Sequence, residues 1–224
     1  MNKIYLIMTL VCVMMVSCGD GKKNDGHKCV DLSLSSGNSK HEGHEYVDLG
    51  LSVKWATCNV GANKPEEYGG YYVWGETTTK ETYNSDNSLT YGLSKSELQS
   101  QGYIDSEGNL TLQYDAARAN WGGNWRMPTK KELEELISKC TWTLIDDVCK
   151  IEGPNGNSII LPNAGYRAES WGSCREGEYG CYLSSTLRKS RKGYYSYELQ
   201  FDGIIQYMHD DFRGFGNSVR PVLE

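Results

Sequence analysis

An apolar segment of about 13 residues, at positions 4–16, runs into Met15-Val16-Ser17-Cys18, and no comparable run recurs further along the chain. A membrane-spanning helix needs roughly 20 such residues, so the segment is too short to cross a bilayer. One basic residue, Lys3, precedes it, and the small Ser17 stands directly before the cysteine. This is the layout of a bacterial lipoprotein signal: a basic start, an apolar stretch, then a cysteine that is acylated and becomes the mature N-terminus. Residues 1–17 are therefore an address with no part in the fold. What remains must fold outside the cytoplasm, held to a membrane by a lipid on Cys18. The expected location is the outer membrane, on the cell surface.

Export changes how the cysteines are read. Of the 8 in the chain, Cys12 lies in the signal and Cys18 takes the lipid, which leaves Cys29, Cys58, Cys140, Cys149, Cys174 and Cys181. An even number in an oxidising compartment reads as disulfides, although spacing alone leaves the pairing open. Cys174 and Cys181 flank a glycine-containing loop and form the expected local pair; Cys58–Cys140 and Cys29–Cys149 would complete one possible set. Zinc fits poorly, since no C-x₂-C spacing exists and the body holds almost no histidine.

The net charge of −6, with all 29 acidic residues beyond the signal, argues against nucleic acid, which needs a concentrated basic stripe. The aromatic residues are unevenly used, with 16 Tyr and 6 Trp against 3 Phe. Together with abundant glycine this resembles binding surfaces, where tyrosine supplies rigid amphipathic contact area. Tyrosine is equally a favoured strand residue, so composition alone leaves both readings standing.

Residues 18–44 are polar and read as a lipidated flexible tether, with the folded body at 45–224. Within the tether, Cys29-Val-Asp-Leu-Ser-Leu-Ser35 echoes Tyr46-Val-Asp-Leu-Gly-Leu-Ser52, which suggests a duplicated first strand. His41-x-x-His44 could chelate a metal, but exposed tether histidines more commonly do nothing specific, and no metal site is expected. In the body, Val47, Leu49, Leu51 and Val53 alternate with polar residues and predict a half-buried strand ending near Trp55. A short strand is expected at 71–74. Residues 76–112 are polar and turn-rich and read as a surface excursion with a brief helix at 94–100.

Two short helices follow, at 115–120 and behind Thr129. The second carries a capping box, Thr129 with Glu132 three residues on, and an apolar stripe of Leu133, Leu136 and Ile137. Strands at 148–151 and 158–161 flank a turn at 153–157. Another strand, 195–201, meets Asp202-Gly203, which favours a two-residue hairpin loop that places Phe201 opposite Ile204. A final strand is expected at 218–223. Few helices, many short strands and long loops make an α+β fold with small antiparallel sheets.

Four segments also resemble a known family. They are Tyr46-Val-Asp-Leu-Gly-Leu-Ser-Val-Lys-Trp-Ala-Thr-Cys-Asn-Val-Gly-Ala62, Trp121-Gly-Gly-Asn-Trp-Arg-Met-Pro-Thr-Lys-Lys-Glu-Leu133, Leu183-Ser-Ser-Thr186 and Gly216-Asn-Ser-Val-Arg-Pro-Val222. In this order they resemble the FISUMP-type major paralogous domain of surface lipoproteins in gut bacteria, over essentially the whole body. The resemblance implies a C-type-lectin-like architecture: paired N- and C-terminal strands, two helices flanking small antiparallel sheets, disulfide staples and long loops forming a binding face. In the similar variable proteins of diversity-generating retroelements the C-terminal region is the ligand surface, which corresponds here to about 180–216. The chain departs from the family in having Leu183 where tryptophan is usual, and in the additional Cys149, Cys174 and Cys181. It also lacks the Glu-Pro-Asn, Gln-Pro-Asp and Trp-Asn-Asp signatures of calcium-dependent sugar binding.

Enzyme signatures are thin. There is no G-x-S-x-G, H-E-x-x-H, phosphate loop or dinucleotide fingerprint. His209 beside Asp210 and Asp211 reads as a solvated strand end, and Glu132, Glu134 and Glu135 as a charged helix face. Formylglycine-generating enzymes share the broad fold and use a reactive cysteine pair, but the chain is short for one and its cysteines read as disulfides. The expectation is a binding protein with no catalytic residue and no cofactor, whose partner is an extracellular protein or glycan; a subunit of a fimbria-like surface assembly is the alternative. Arg126 and Arg220, set among apolar neighbours, are expected to be structural. The candidate ligand contacts are loop residues: Trp171, Arg175, Tyr179, Arg188, Arg191, Tyr194, His209, Asp211 and Arg213.

Overall fold

The computed structural model describes residues 39–169, 172–189 and 193–224, without the side chains of 172–174. Cys18, Cys29, Trp171, Arg191 and the duplicated segment at 29–35 lie outside these residues.

The chain enters through a hairpin of β1 (Ser39–His41) and β2 (His44–Val47), and β2 pairs in turn with β3 (Lys54–Ala56). The last strand, β13 (Val222–Leu223), adds antiparallel to β3, so the sheet runs β1-β2-β3-β13 and joins the two ends of the body. Its two faces serve different cores. Trp55 and Val222 point into one with Leu133, Leu136, Ile151, Tyr182 and Phe201; Ala56 and Leu223 point into the other with Trp74, Leu98, Trp121, Trp125 and Leu183.

This corrects two expectations. Residues 39–44 are the first hairpin of the sheet and not tether: the His44 ring stacks on Trp121 at 3.7 Å, and the Trp125 indole N–H donates to the His41 carbonyl at 3.1 Å. The alternation at 47–53 does not mark one strand either. Val47 pairs directly with Trp55 across a loop in which Asp48 Oδ1 accepts the Gly50 N–H at 2.7 Å, and the buried Leu49 and Val53 are loop side chains turned inward.

Three α-helices follow the expected signals. α1 (Lys95–Ser100) is capped by Ser94, with Glu97 closing the box; α2 (Ala116–Trp121) is capped by Asp115; α3 (Lys130–Lys139) has Thr129 and Glu132 in the expected capping box. In α3, Leu133 and Leu136 are buried and Ile137 packs at the edge of the same core. The segment at 76–112 is not a surface excursion. Glu76, Tyr83, Thr90, Leu98, Ile104 and Leu110 are all buried within it, because the loop covers a core that the short sheets leave open. Nor is 71–74 a regular strand: it is buried on both sides and makes a single bridge, Tyr72 to Asn217.

The remaining strands form three small antiparallel sheets. β4 (Thr141–Ile145), β5 (Val148–Glu152) and β6 (Ser158–Pro162) make the first; β5 and β6 are the expected hairpin, and β4 is added to it through the turn at Asp146, where φ is 53°. β7 (Tyr166–Ala168), β8 (Gly172–Cys174) and β12 (Gly216–Asn217) make the second. β9 (Gly180–Leu187), β10 (Tyr195–Phe201) and β11 (Gln206–Phe212) make the third. Here Phe201 pairs with Gln206, not Ile204. The connection has four residues, 202–205, because Asp202 Oδ1 accepts the N–H groups of both Ile204 and Ile205 at 3.0 Å and holds a wider turn.

No disulfide is present among the described residues. Cys58, Cys140 and Cys149 are thiols. Cys58 packs against the core of Trp121 and Trp125 and Cys140 against that of Leu136 and Trp142, so the expected Cys58–Cys140 pair is separated between two cores. Cys149 is buried in β5, where loss of solvent pushes its thiol up to about 11. Cys29 and the side chain of Cys174, the expected partners of Cys149 and Cys181, lie outside the description.

Candidate functional site

The C-terminal end of β11 and the loop that follows it form one wall of a cavity of about 280 Å³. Phe212, Gly214 and Phe215 supply this wall; Tyr83, Asn84, Ser85 and Tyr91 come from the buried loop at 76–112, and Ala168 and Glu169 from the end of β7. The sequence folds this way because Gly214 and Gly216 let two chains meet. A Cβ on Gly216 would press into the Tyr83 ring, and one on Gly214 would lie 2.8 Å from the Asn84 backbone. Tyr83 is fixed further by its hydroxyl, which donates to the Tyr71 carbonyl at 2.9 Å and accepts the Lys80 N–H at 3.1 Å.

The aromatic lining is backed by a second set of rings. Tyr194 stacks behind Tyr91 at 4.9 Å, Tyr195 behind Phe212 at 4.9 Å and Tyr166 behind Phe215 at 5.5 Å. Each pair is within the range of favourable offset stacking. The polar lining is sparse: Asn84 donates its amide N–H to Glu169, and Ser85 lies at the mouth. Burial holds the Tyr91 hydroxyl above its ordinary pKa, with neighbouring tyrosines and Asp86 adding to the effect. Rings on several sides and a few directed polar groups are what a small-ligand pocket needs.

A second polar constellation lies on the face of β10 and β11 opposite the core residues Leu199 and Phe201. Glu198, 2 % exposed, accepts hydrogen bonds of 2.6 Å from the amides of Gln200 and Asn217. Burial, reinforced by Asp211 and Asp210, pushes its carboxyl up to about 8. Asp211 is raised too, mainly by burial. His209 stands opposite Glu198 in the β10–β11 register and edge-on to Tyr207 at 5.9 Å. Asn217 belongs to β12, so Glu198 ties this sheet to the strand that begins beside the cavity.

The expected contact residues are dispersed over these features. Tyr194 does not line the cavity but stacks on Tyr91, which does. His209 and Asp211 belong to the Glu198 face. Arg175, at φ 60°, lies over the Tyr179 ring at 4.9 Å on the turn after β8. Arg188 is on the opposite face of the sheet, paired with Asp210 at 2.8 Å and lying over Tyr195.

Arg213 is a correction. It is 1 % exposed, not a surface contact; its guanidinium donates to the Thr90 carbonyl at 2.8 Å and the Leu93 carbonyl at 3.1 Å above the Trp74 ring. The strand alternation that exposes Phe212 turns Arg213 inward, and burial lowers its pKa to about 10. Arg126 and Arg220 are structural, as expected. Arg126 pairs with Glu132 at 2.6 Å, while Arg220 donates to Asn59 Oδ1 at 2.9 Å and to the carbonyls of Ala56 and Thr57.

Sequence reasoning missed Tyr83, Tyr91, Phe212, Phe215 and Glu169. One signal was available: two of the chain's 3 phenylalanines stand within four residues of each other in the C-terminal region. Comparison of the chain with protein-family models, with curated proteins and with solved structures found no match.

Proposed function

We propose that this is a lipid-anchored surface binding protein that captures an extracellular protein or glycan through its C-terminal region, without catalysis. The observation that carries the reading is the cavity whose main wall, Phe212 to Phe215, lies in that region and whose rings are fixed before any ligand arrives. Pre-organised walls reduce the ordering cost of binding. The family resemblance supports the same reading, and with it a C-type-lectin-like fold of the FISUMP type: β3 and β13 bring the two ends of the body together, and a long connection, 57–94, separates β3 from α1. The signal layout at 4–18 supports an acyl anchor on Cys18, and Cys18→Ser should release the protein from the membrane.

The test is an array of glycans and extracellular proteins probed with the full chain, with and without chelator. Saturable capture that is lost in a Tyr91→Ala/Phe212→Ala double variant of unchanged circular dichroism supports the reading. A blank array, or capture indifferent to the variant, removes it; loss of capture with chelator would restore a calcium mechanism.

One observation favours the assembly-subunit alternative. Among the described residues β4, Thr-Trp-Thr-Leu-Ile without a charge, pairs only with β5, and Leu144, Ile204 and Ile205 are exposed beside it, Ile204 by 88 %. Uncharged edge strands are templates for pairing. If a second copy pairs there, sedimentation will show a dimer that Leu144→Lys abolishes; a monomer at every concentration rejects the alternative.

A further inference from the structure

We infer that the cavity is a cage for a quaternary or trimethylated ammonium group. This rests on reading the cavity as the binding site and goes further, to the chemistry of what enters it.

The first argument is the inclination of the walls. Tyr91 and Phe212 are tilted 41° to one another at 6.2 Å, and Phe212 and Phe215 67° at 5.6 Å. A flat sugar face or a nucleobase stacks on one ring, or on rings that share a plane. Walls set at such angles offer no single flat platform and suit a compact, rounded group. The backing rings make this arrangement stiff: Tyr194, Tyr195 and Tyr166 each lie within 30° of parallel with the wall ring they support. Tyr83 is held at its hydroxyl and against Gly216. A cage that must collapse around its guest would not be braced from behind.

Charge is the second argument. Among the described residues, Glu169 is the only carboxylate that lines the cavity, and no lysine, arginine or histidine does. Asp86 is close enough to act on the Tyr91 hydroxyl. Two cations adjoin lining residues in sequence: Arg213 directs its guanidinium to the Thr90 and Leu93 carbonyls, and Arg167 pairs with Glu176 and lies over the Tyr71 ring at 4.0 Å. Lys80 is engaged by Glu76 at 2.6 Å. The field in the cavity therefore favours a positive guest, which ring faces attract according to how far it is desolvated.

The third argument is what the lining lacks. A primary ammonium has three N–H groups to satisfy, and the side-chain acceptors of the lining are few: the Glu169 carboxylate and the hydroxyls of Ser85 and Tyr91, since Asn84 Oδ1 already accepts the Asp86 and Asn87 N–H groups and the Tyr83 hydroxyl is engaged by Tyr71 and Lys80. A quaternary nitrogen has no N–H and needs only ring faces and one counter-charge. The volume, close to the ~300 Å³ lower end of ligand pockets, suits such a head group and a short stem but not a polymer.

The full chain, purified in maltoside detergent, is titrated with choline by calorimetry and, in parallel, with 3,3-dimethylbutan-1-ol, the uncharged carbon counterpart of the same shape. Choline should bind saturably and the neutral alcohol about tenfold more weakly or worse. Phe212→Ala should lose about tenfold or more, Tyr91→Phe should keep the affinity within about threefold, and Glu169→Gln should weaken choline while leaving the alcohol unchanged. Glu169 is exposed, so this last variant is informative even if the ring variants do not fold. A trimethyllysine peptide that competes with choline would identify a protein-borne source, and co-sedimentation with phosphatidylcholine vesicles a lipid-borne one. Equal affinity for choline and the alcohol, or no saturation by choline, overturns the inference. If choline fails while array capture still requires Tyr91 and Phe212, the binding site stands and only the ligand class falls; if both fail, the binding reading falls as well.

Discussion

Replacing Glu198 by glutamine should change how stability depends on pH, and the size of the change follows from the site. Glu198 lies in the middle of β10 with two amides donating to it and two aspartates near it. In the fold it keeps its proton up to about pH 8, whereas the ordinary glutamate value is 4.5. Between these values the native state binds a proton that the unfolded chain has released. The stability associated with this proton is therefore whole below about pH 4.5, falls as pH rises, and is gone by about pH 8. At about 1.4 kcal/mol per pH unit the ceiling is roughly 5 kcal/mol, and solvent entry or rearrangement of Gln200 would reduce it. A glutamine at this position would keep the shape without titrating: its Oε1 would accept from Gln200, and its NH2 would need the Asn217 amide to turn and present Oδ1, which has no partner in wild type. Urea unfolding of both proteins at intervals from pH 4.5 to 8 should give a variant whose advantage over wild type grows by about 2–5 kcal/mol across the range. Two parallel stability curves would show that Glu198 ionises as an ordinary carboxylate and that its burial is relieved in solution.

Three further outcomes follow from packing and capping. Arg220→Met should cost about 3–5 kcal/mol, since it leaves the buried Ala56 and Thr57 carbonyls and Asn59 Oδ1 without the donor they share, measured as a fall in urea midpoint at constant slope. Thr129→Ala should cost about 1 kcal/mol by removing the cap of α3 while leaving Arg126–Glu132 in place; a change below about 0.3 kcal/mol would mean the capping box is redundant. Gly180→Ala should destabilise by about 1–3 kcal/mol, because the added methyl would meet the Phe201 ring, and thermal unfolding would record it.

The elements legible in the sequence were those with a local cause. The capping box at Thr129 needs only residues three apart, and the β5–β6 hairpin is marked by its own turn. The structural roles of Arg126 and Arg220 could be read from their apolar flanks. What was missed depended on partners far along the chain. The alternation at 46–55 is the same whether the residues make one strand or a loop turned inward; only the pairing of Val47 with Trp55 decides it. The polar composition at 76–112 hid a stretch whose few apolar residues close one of the two cores. Asp202-Gly203 was read as a tight turn because the side-chain hydrogen bonds that widen it leave no separate mark in the sequence.

The candidate site divides in the same way. The resemblance pointed to the C-terminal region, and Tyr194 of that region stacks on Tyr91, one of the rings that line the cavity. Which residues of that region face it was not legible, because adjacent strand positions point opposite ways: Phe212 lines the cavity and Arg213 lies in the core. Tyr83 and Tyr91 enter from more than a hundred residues earlier, brought there by the close approach at Gly214 and Gly216.

The most direct test is to compare two sets of variants in one equilibrium binding measurement, using whichever glycan or protein the array captures. One set, Tyr91→Ala and Phe212→Ala, alters the cavity; the other, Leu144→Ser and Ile204→Ser, alters the exposed edge beside β4. The account predicts about a tenfold or greater loss of affinity in the first set and none in the second. Loss confined to the second set, with the cavity variants binding as wild type, would contradict it and move the function to the sheet edge.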